Sequence, residues 1–202
     1  MKKYDYIFFD LDGTLTDSAE GIVNSVVYAL ERKGVPYANK QELRRFVGPP
    51  LHDSFRDYCG FSDEQVKETV RIFREYFTEK GIYENSVYDG VKEMLDSLCR
   101  AGRTLAVATS KPESMSVQIL EKFGLAGYFE KICGATLDGS RSKKADIITY
   151  LLQCAGDTAD AIMVGDTAYD VIGAKAHGMP AIGVSWGYGK VEDMEKAGAA
   201  GI

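Results

Sequence analysis

Short apolar runs that alternate with helical segments are the feature that most limits the folds open to this chain. The first run is Tyr6–Phe9, and similar runs follow at residues 105–108, 131–133, 161–164 and 181–184. A short run without polar alternation is typical of a strand buried on both faces, as in a parallel sheet. The alternation predicts right-handed βαβ units, and therefore an α/β fold with a Rossmann-like parallel sheet.

Four segments between or beside these runs carry apolar residues at helical spacing. Each ends at or near a glycine, which is a common residue just past the end of a helix. These glycines are Gly102, Gly124, Gly156 and Gly178. The positions of the segments support the strand–helix alternation.

Residues 17–80 depart from this alternation because they contain helical patterns alone. A block of helices directly after the first strand is difficult to place within a βαβ sheet. We therefore expect a discontinuous α/β core at residues 1–16 and 82–202, with an inserted all-helical cap domain at residues 17–81. Two capping boxes are predicted in the insertion, at Asp17 with Glu20 and at Ser62 with Gln65.

The charge of the chain bears on its partners. The 202 residues carry a formal net charge of -6. Neutralising a nucleic-acid backbone requires a basic face, so nucleic acid is not expected as a partner. A small phosphorylated substrate remains compatible, because a local positive pocket can lie in an acidic protein.

Cysteine usage and the apolar segments predict a cellular location. The four cysteines lack the spacing of a zinc site, and the chain has only two histidines. We interpret the cysteines as buried free thiols in a reducing cytosol. No signal peptide is recognisable, and no segment approaches the ~20 apolar residues that span a bilayer. We expect a cytoplasmic protein without membrane contact, either a monomer or a weak homodimer.

Four polar groups lie directly after predicted strands or at the start of predicted helices. These positions are at the edge of the predicted sheet, where open α/β sheets bind ligands. They are Asp10-Leu11-Asp12-Gly13-Thr14, Thr109-Ser110, Lys143-Lys144, and the segment 165–170 with Asp166 and Asp170.

Each group alone has a structural interpretation. The first resembles a polar turn or the start of a calcium loop, although Thr14-Leu15 does not fit that loop. Thr109 is a reasonable helix cap, and the two lysines suit a solvated surface. Asp166 and Asp170 suit a turn and the start of a helix.

In chain order, the acidic pair, hydroxyl, lysine and acidic pair resemble the motifs of the haloacid dehalogenase (HAD) superfamily. The resemblance covers nearly the whole chain, and the helical insertion is similar to the first type of cap in that superfamily. Residues 13–18, 46–51 and 109–112 are most similar to phosphoglycolate phosphatases and a 5'-nucleotidase-like branch.

The resemblance implies a role for each catalytic residue. Asp10 would attack phosphorus and form an aspartyl-phosphate. Asp12 would donate a proton to the leaving alcohol and then activate water. Thr109 and Ser110 would hold phosphoryl oxygens, and Lys144 would neutralise developing charge.

The resemblance also implies a Mg²⁺ site. Its ligands would be Asp10, the backbone carbonyl of Asp12 and Asp166, with Asp170 orienting that shell. Physical chemistry favours the same ion, because the oxygen-rich donor set suits Mg²⁺ better than Zn²⁺. An attacking carboxylate and a phosphate dianion also repel each other, and a cation has to neutralise this repulsion before they can approach.

Two departures from the family pattern affect these expectations. The family often has proline after its lysine, whereas Lys143 and Lys144 offer two candidates here, of which we prefer Lys144. The chain stops at Ile202, where relatives usually continue through a strand and a helix. We expect this to loosen the sheet edge and leave the four motifs intact.

The resemblance implies a Mg²⁺-dependent phosphomonoester hydrolase that acts on a small phosphorylated metabolite, such as phosphoglycolate or a nucleoside monophosphate. A sugar-phosphate mutase and an inactive binding protein are the alternatives. Substrate choice would lie in the cap, where we expect Arg45 and the loop at residues 48–50 to contact the leaving group.

Overall fold

The computed structural model describes residues 4–156 and 160–202. Residues 1–3, the charged start of the expected core, lie outside the described residues. The described chain forms strands β1 (Tyr6–Phe9), β2 (Thr16–Asp17), β3 (Ser86–Val87), β4 (Thr104–Pro112), β5 (Lys131–Ala135), β6 (Ala161–Gly165) and β7 (Ala181–Gly183). Its helices are α1 (Ala19–Lys33), α2 (Leu51–Cys59), α3 (Asp63–Tyr76), α4 (Val91–Arg100), α5 (Glu113–Lys122), α6 (Lys144–Ala155), α7 (Ala168–Lys175) and α8 (Val191–Ala197).

The core sheet has five parallel strands in the order β5-β4-β1-β6-β7, which confirms the predicted α/β class. Strand β1 lies in the middle, with Phe9 opposite Val107 of β4 and Val164 of β6. The chain builds one side of β1 first and then the other, so the strand order reverses beside β1. The carboxyl ends of β1, β4 and β6 therefore meet at the position where such sheets bind ligands.

Strand β4 is longer than the sequence predicts. The apolar run ends at Ala108, but Thr109 still pairs with Gly134 of β5, and Pro112 pairs with Ala135. The hydroxyl motif therefore lies within the strand rather than after it. The register shifts between Thr109 and Pro112, a local irregularity that changes the direction of the intervening side chains.

An apolar cluster between the sheet and two helices fixes the central strands. Phe8 of β1 and Met163 of β6 are fully buried and belong to one cluster with Ile147 and Leu151 of α6 and Val171 of α7. Burial of each large apolar side chain contributes roughly 1.5–3 kcal/mol. This packing holds the strand ends, α6 and α7 in fixed relative positions.

The chain divides into two compact units, one formed by Asp17–Ser86 and the other by Met1–Thr16 with Val87–Ile202. The first unit contains α1, α2 and α3 with a 3-10 turn at Glu42–Phe46 and a π-helical turn at Phe77–Gly81. Its interior is rich in aromatic rings, such as Phe46 and Phe55, whose centroids lie 5.1 Å apart.

The helical unit extends to Ser86, beyond the limit at residue 81 that the sequence indicated. The reason is a set of hydrogen bonds from α1 to Glu84. The backbone carbonyl of Glu84 accepts from Gly21 N at 3.1 Å, and its carboxylate accepts from Asn24 Nδ2 at 3.0 Å.

One of the two predicted capping boxes is confirmed. Ser62 and Gln65 exchange the two expected hydrogen bonds at the start of α3. The box at Asp17 is wrong, because Asp17 still belongs to strand β2, and Ser18 occupies the N-cap position of α1 without a side-chain capping hydrogen bond. The Asp17 carboxylate instead accepts a hydrogen bond from Ala19 N at 3.1 Å.

The cysteines differ in exposure, contrary to the prediction that all four are buried. Only Cys133 is buried, Cys59 is intermediate, and Cys99 and Cys154 are exposed because they lie on outer helix faces. Burial raises the pKa of the Cys133 thiol to about 12. Among the described residues, no helix is both long and apolar enough to cross a bilayer.

We predict that Cys99 and Cys154 react rapidly with Ellman's reagent in the native protein, because they are accessible. Cys133 should react only after unfolding, because it is both buried and protonated at neutral pH. Replacing Cys99 or Cys154 with serine should remove one rapidly reacting thiol in each case. Rapid labelling of Cys133 in the folded protein would contradict the packing described for β5.

Candidate active site

The first strand ends in a buried acidic turn. Asp10 and Asp12 follow β1 and are only 6% and 7% exposed. The turn closes through a hydrogen bond from Gly13 N to Thr16 O at 2.8 Å. Gly13 has a φ of 86°, a left-handed conformation that other residues rarely adopt. The turn thereby places two carboxyl groups at the edge of the sheet.

Three carboxyl groups from separate motifs converge at this edge. Asp10 after β1, Asp166 after β6 and Asp170 in α7 each offer an oxygen, and these oxygens all lie within 4.8 Å of one another. All three residues are buried. Such a set of oxygen donors could hold a divalent cation, because buried like charges at this separation repel strongly without a positive partner.

Asp166 is held from two directions. Its Oδ2 accepts a hydrogen bond from the backbone N of Tyr188 at 2.7 Å, and its Oδ1 lies 3.4 Å from the Thr14 hydroxyl. Three glycines leave room for this carboxyl residue. A Cβ at Gly13 would lie 2.2 Å from Asp166 Oδ2, and one at Gly187 or Gly189 would also collide with Asp166.

The loop after β7 therefore has a role that sequence reasoning missed. The spacing of the glycines at positions 187 and 189 does not match a phosphate loop. Their role is instead to let the backbone of this loop approach Asp166 closely. The signal was the glycine–aromatic alternation at residues 186–189. Trp186 is 53% exposed, and its Nε1 donates to Thr14 O at 3.2 Å.

Asp170 connects the start of α7 to the acidic cluster. Its Oδ2 accepts hydrogen bonds from Thr167 N at 3.0 Å and from the Thr167 hydroxyl at 2.8 Å. Its Oδ1 lies 2.8 Å from Lys144 Nζ. A Cβ on Gly165 would lie 2.3 Å from the Asp170 carboxyl carbon, so the glycine at the end of β6 is required for this packing.

Lys144 is the lysine that the structure brings into the cluster. Its Nζ lies 2.9 Å from Asp10 Oδ1 and 2.8 Å from Asp170 Oδ1, and it donates to Ala108 O at 2.8 Å. Lys144 is 5% exposed, whereas Lys143 is exposed to solvent. The first turn of α6 therefore directs one lysine inward and the other outward.

Thr109 and its neighbours line the adjacent strand end. Thr109 is buried on β4, and its hydroxyl accepts a hydrogen bond from Lys111 N at 3.3 Å. Ser110 is half-buried in the irregular part of the strand. Lys111 was not among the residues expected in the site, yet its Nζ lies 2.7 Å from Asp12 Oδ2. The sequence signal was a lysine two residues after the motif threonine.

Burial changes the protonation of this cluster. It raises the pKa of Asp10 to about 6, despite the opposing attraction of Lys144. It also raises the pKa of Asp166 to about 8, with further contributions from the charges of Asp10 and Asp170. Burial alone would lower the pKa of Lys144, but the Asp10 and Asp170 carboxylates outweigh it and raise that pKa above its usual value. The negative charge of the crowded carboxyl groups thus exceeds the positive charge that one lysine supplies.

Arg45, the substrate-contacting residue expected in the cap, lies in the helical unit. It is exposed, and its guanidinium carbon lies 4.5 Å from the centre of the Tyr58 ring. Its contact with a leaving group stays a prediction. Arg44, not Arg45, lines a cavity of about 550 Å³ within the helical unit.

Comparison with known proteins places this geometry in a family. The model of the haloacid dehalogenase-like hydrolase family matches residues 7–184, which include every acidic and basic group of the cluster. The chain belongs to the haloacid dehalogenase-like hydrolases. The family expected from the order of the motifs is confirmed, and so is the enzyme class, a phosphatase of this family.

Individual relatives agree with this assignment. A 5'-nucleotidase of Pseudomonas aeruginosa is 42% identical over 193 residues, covering 95% of this chain and 87% of the relative. The crystal structure of a predicted phosphatase from Clostridium acetobutylicum is 48% identical, with a TM-score of 0.95. That match covers 98% of this chain and 92% of the crystallised one.

A third relative has a different name. The tyrosine-protein kinase PtkA of Mycobacterium tuberculosis is also 42% identical, and the match covers 94% of this chain and 65% of the kinase. Comparable identity to this chain therefore accompanies two different names among its relatives.

We predict that Lys144→Met destabilises the metal-free protein by about 3–5 kcal/mol, because it leaves buried carboxylates without their cation. The matched variant Lys143→Met should change the free energy of unfolding by less than about 0.5 kcal/mol, since that side chain is exposed. Urea unfolding in the presence of a chelator measures both. Equal effects of the two substitutions would contradict the inward position of Lys144.

Proposed function

We propose that this chain is a Mg²⁺-dependent phosphomonoester hydrolase that works through an aspartyl-phosphate on Asp10. The observation that carries the proposal is the convergence of the Asp10, Asp166 and Asp170 carboxyl groups beside Lys144. The same sheet edge carries Asp12 and Thr109, which complete a set able to bind and transfer a phosphoryl group.

The donor set fits Mg²⁺. The three convergent groups are all carboxylates, and Mg²⁺ prefers such oxygen ligands. Asp10 and Asp166 would hold the ion together with the backbone carbonyl of Asp12, and Asp170 would orient them. Mg²⁺ bound there would neutralise part of the negative charge that the carboxylates and the phosphate bring together.

In the first step, a carboxylate oxygen of Asp10 forms a bond to phosphorus while the bond to the leaving alcohol breaks. Asp12 gives its proton to the leaving oxygen, so the alcohol departs neutral. Lys144 already lies 2.9 Å from Asp10 and supplies positive charge where the phosphoryl group would be held. Thr109 and nearby backbone N–H groups are suited to bind its oxygens.

In the second step, water attacks the phosphorus of the aspartyl-phosphate. Asp12, now a carboxylate, takes a proton from that water as the new bond forms and the bond to Asp10 breaks. Inorganic phosphate is released, and both aspartates return to their starting states. One residue thus serves as acid and then base, which requires its side chain to remain beside the reaction centre.

The family and the helical unit both support a choice of substrate class. The 5'-nucleotidase relative supports a nucleoside monophosphate, and the motif resemblance also allows phosphoglycolate. The cavity in the helical unit is lined by charged groups of both signs, including Lys40, Arg44, Glu20 and Glu84. Such a lining suits recognition of a small polar molecule, and we propose that this unit selects the leaving group.

We predict that Asp10→Asn abolishes phosphate release, because the amide is a poor nucleophile and cannot form the aspartyl-phosphate. EDTA should also abolish release from the wild type, and added Mg²⁺ should restore it. Colorimetric phosphate assays on nucleoside monophosphates, phosphoglycolate and p-nitrophenyl phosphate measure these effects.

The matched control is Asp193→Asn, which removes an exposed carboxylate of α8 and should leave turnover unchanged. Wild-type turnover by Asp10→Asn would exclude Asp10 as the nucleophile. Turnover that persists in EDTA would exclude the metal requirement. Phosphate that moves to another position of a sugar, without release, would indicate a mutase instead.

A further inference from the structure

Lys111 forms a buried ion pair with Asp12 that the mechanism above leaves unused. The Nζ atom lies 2.7 Å from Asp12 Oδ2, and the two side chains are 5% and 10% exposed. We propose that Lys111 is a positioning residue that orients the carboxyl group of Asp12 for proton transfer to the leaving group. This proposal rests on the proposed function.

The local structure of β4 places Lys111 in this position. Thr109 pairs with Gly134 and Pro112 with the next residue of β5, Ala135, so β4 contains two extra residues at this point. Such an irregularity changes the direction of a side chain. The absence of a side chain at Gly134 permits it, since a Cβ there would lie 2.5 Å from Lys111 O.

Energetics argue that stability alone does not explain the pair. Burying a lysine and a carboxylate carries a desolvation penalty that their attraction often only offsets, so a buried ion pair is weak evidence for a stabilising role. Here the pair involves the residue expected to transfer protons. A role in catalysis therefore accounts for the retained charges better than packing does.

The pair distinguishes the two oxygens of Asp12. Oδ2 is held by Lys111, whereas Oδ1 is buried and lacks a hydrogen-bond partner among the described residues. A buried oxygen without a partner costs roughly 1–3 kcal/mol, a cost that a bound substrate or water can remove. We assign the transferred proton to Oδ1.

This assignment gives the position of the transferred proton in both steps of the reaction. Asp12 enters the first step as the neutral acid that the second step regenerates. Its Oδ1–H gives its proton to the leaving oxygen as the P–O bond breaks, and Lys111 donates to Oδ2 before and after the transfer. During the second, Oδ1 takes a proton from the attacking water as the bond from phosphorus to Asp10 breaks. Lys111 gains and loses no proton in either step.

Substrates that differ in leaving group test this role. An alkyl phosphate requires protonation of its leaving oxygen, whereas p-nitrophenolate departs readily without it. We expect Lys111→Met to lower kcat/KM by about 10- to 100-fold for an alkyl phosphate, because a misoriented acid loses part of the ~10²- to 10⁴-fold that acid catalysis typically contributes. For p-nitrophenyl phosphate the expected loss is below about threefold, because acid catalysis contributes little there.

Two further variants separate positioning from folding. Lys111→Arg keeps a cation that can reach Asp12, so it should retain most of the wild-type preference between the two substrates. Lys131→Met removes an exposed lysine from β5 and should leave both kcat/KM values unchanged. Thermal unfolding of each variant shows whether it is folded at the assay temperature.

Failure of the Lys111 proposal can be told apart from failure of the proposed function. An active wild type with equal losses on both substrates in Lys111→Met, or with no loss, would overturn the role of Lys111 alone. A Lys111→Met variant that fails to fold moves the decision to Lys111→Arg, where kcat/KM values close to the wild type on both substrates support positioning and a comparable loss on both overturns it. A wild type inactive on every substrate would overturn both proposals.

Discussion

Electrostatic repulsion among buried carboxyl groups is the constraint on which the site depends. Asp10, Asp166 and Asp170 bring their oxygens within 4.8 Å of one another in a region that excludes most water. Lys144 contacts two of them and offsets part of that repulsion. Burial raises the pKa of Asp166, the charges of Asp10 and Asp170 raise it further, and the crowded carboxylates make the cluster receptive to a cation. The proposed chemistry uses the same attraction for positive charge.

The fold converts distant sequence motifs into this cluster through three physical features. The parallel sheet brings the carboxyl ends of β1, β4 and β6 to one edge. The apolar cluster beneath α6 and α7 fixes the helices from which Lys144 and Asp170 project. Glycines at positions 13, 165 and 187 remove side chains that would otherwise collide with the aspartates. The sheet and the apolar cluster join segments that are far apart in the sequence, and the site requires all three features together.

The sequence predicted the features that depend on pattern and motif order. Strand–helix alternation predicted the α/β core, and the order of four motifs predicted the family. The choice of Lys144 over Lys143 rested on resemblance, and its physical basis is the direction of the first turn of α6. The contact between Lys111 and Asp12 was not predicted, because it depends on a strand irregularity that periodicity does not encode. The first capping box failed for a related reason, since strand β2 extends through Asp17 and the N-cap position of α1 falls on Ser18.

Direct measurement of metal binding shows whether these carboxylates share one divalent ion. Electron paramagnetic resonance with Mn²⁺ counts bound ions without relying on turnover. We predict one Mn²⁺ per chain, displaced by Mg²⁺, and a large loss of affinity in Asp166→Asn but not in Asp193→Asn. Mn²⁺ binding by Asp166→Asn that equals that of the wild type would contradict a metal site shared by these carboxylates.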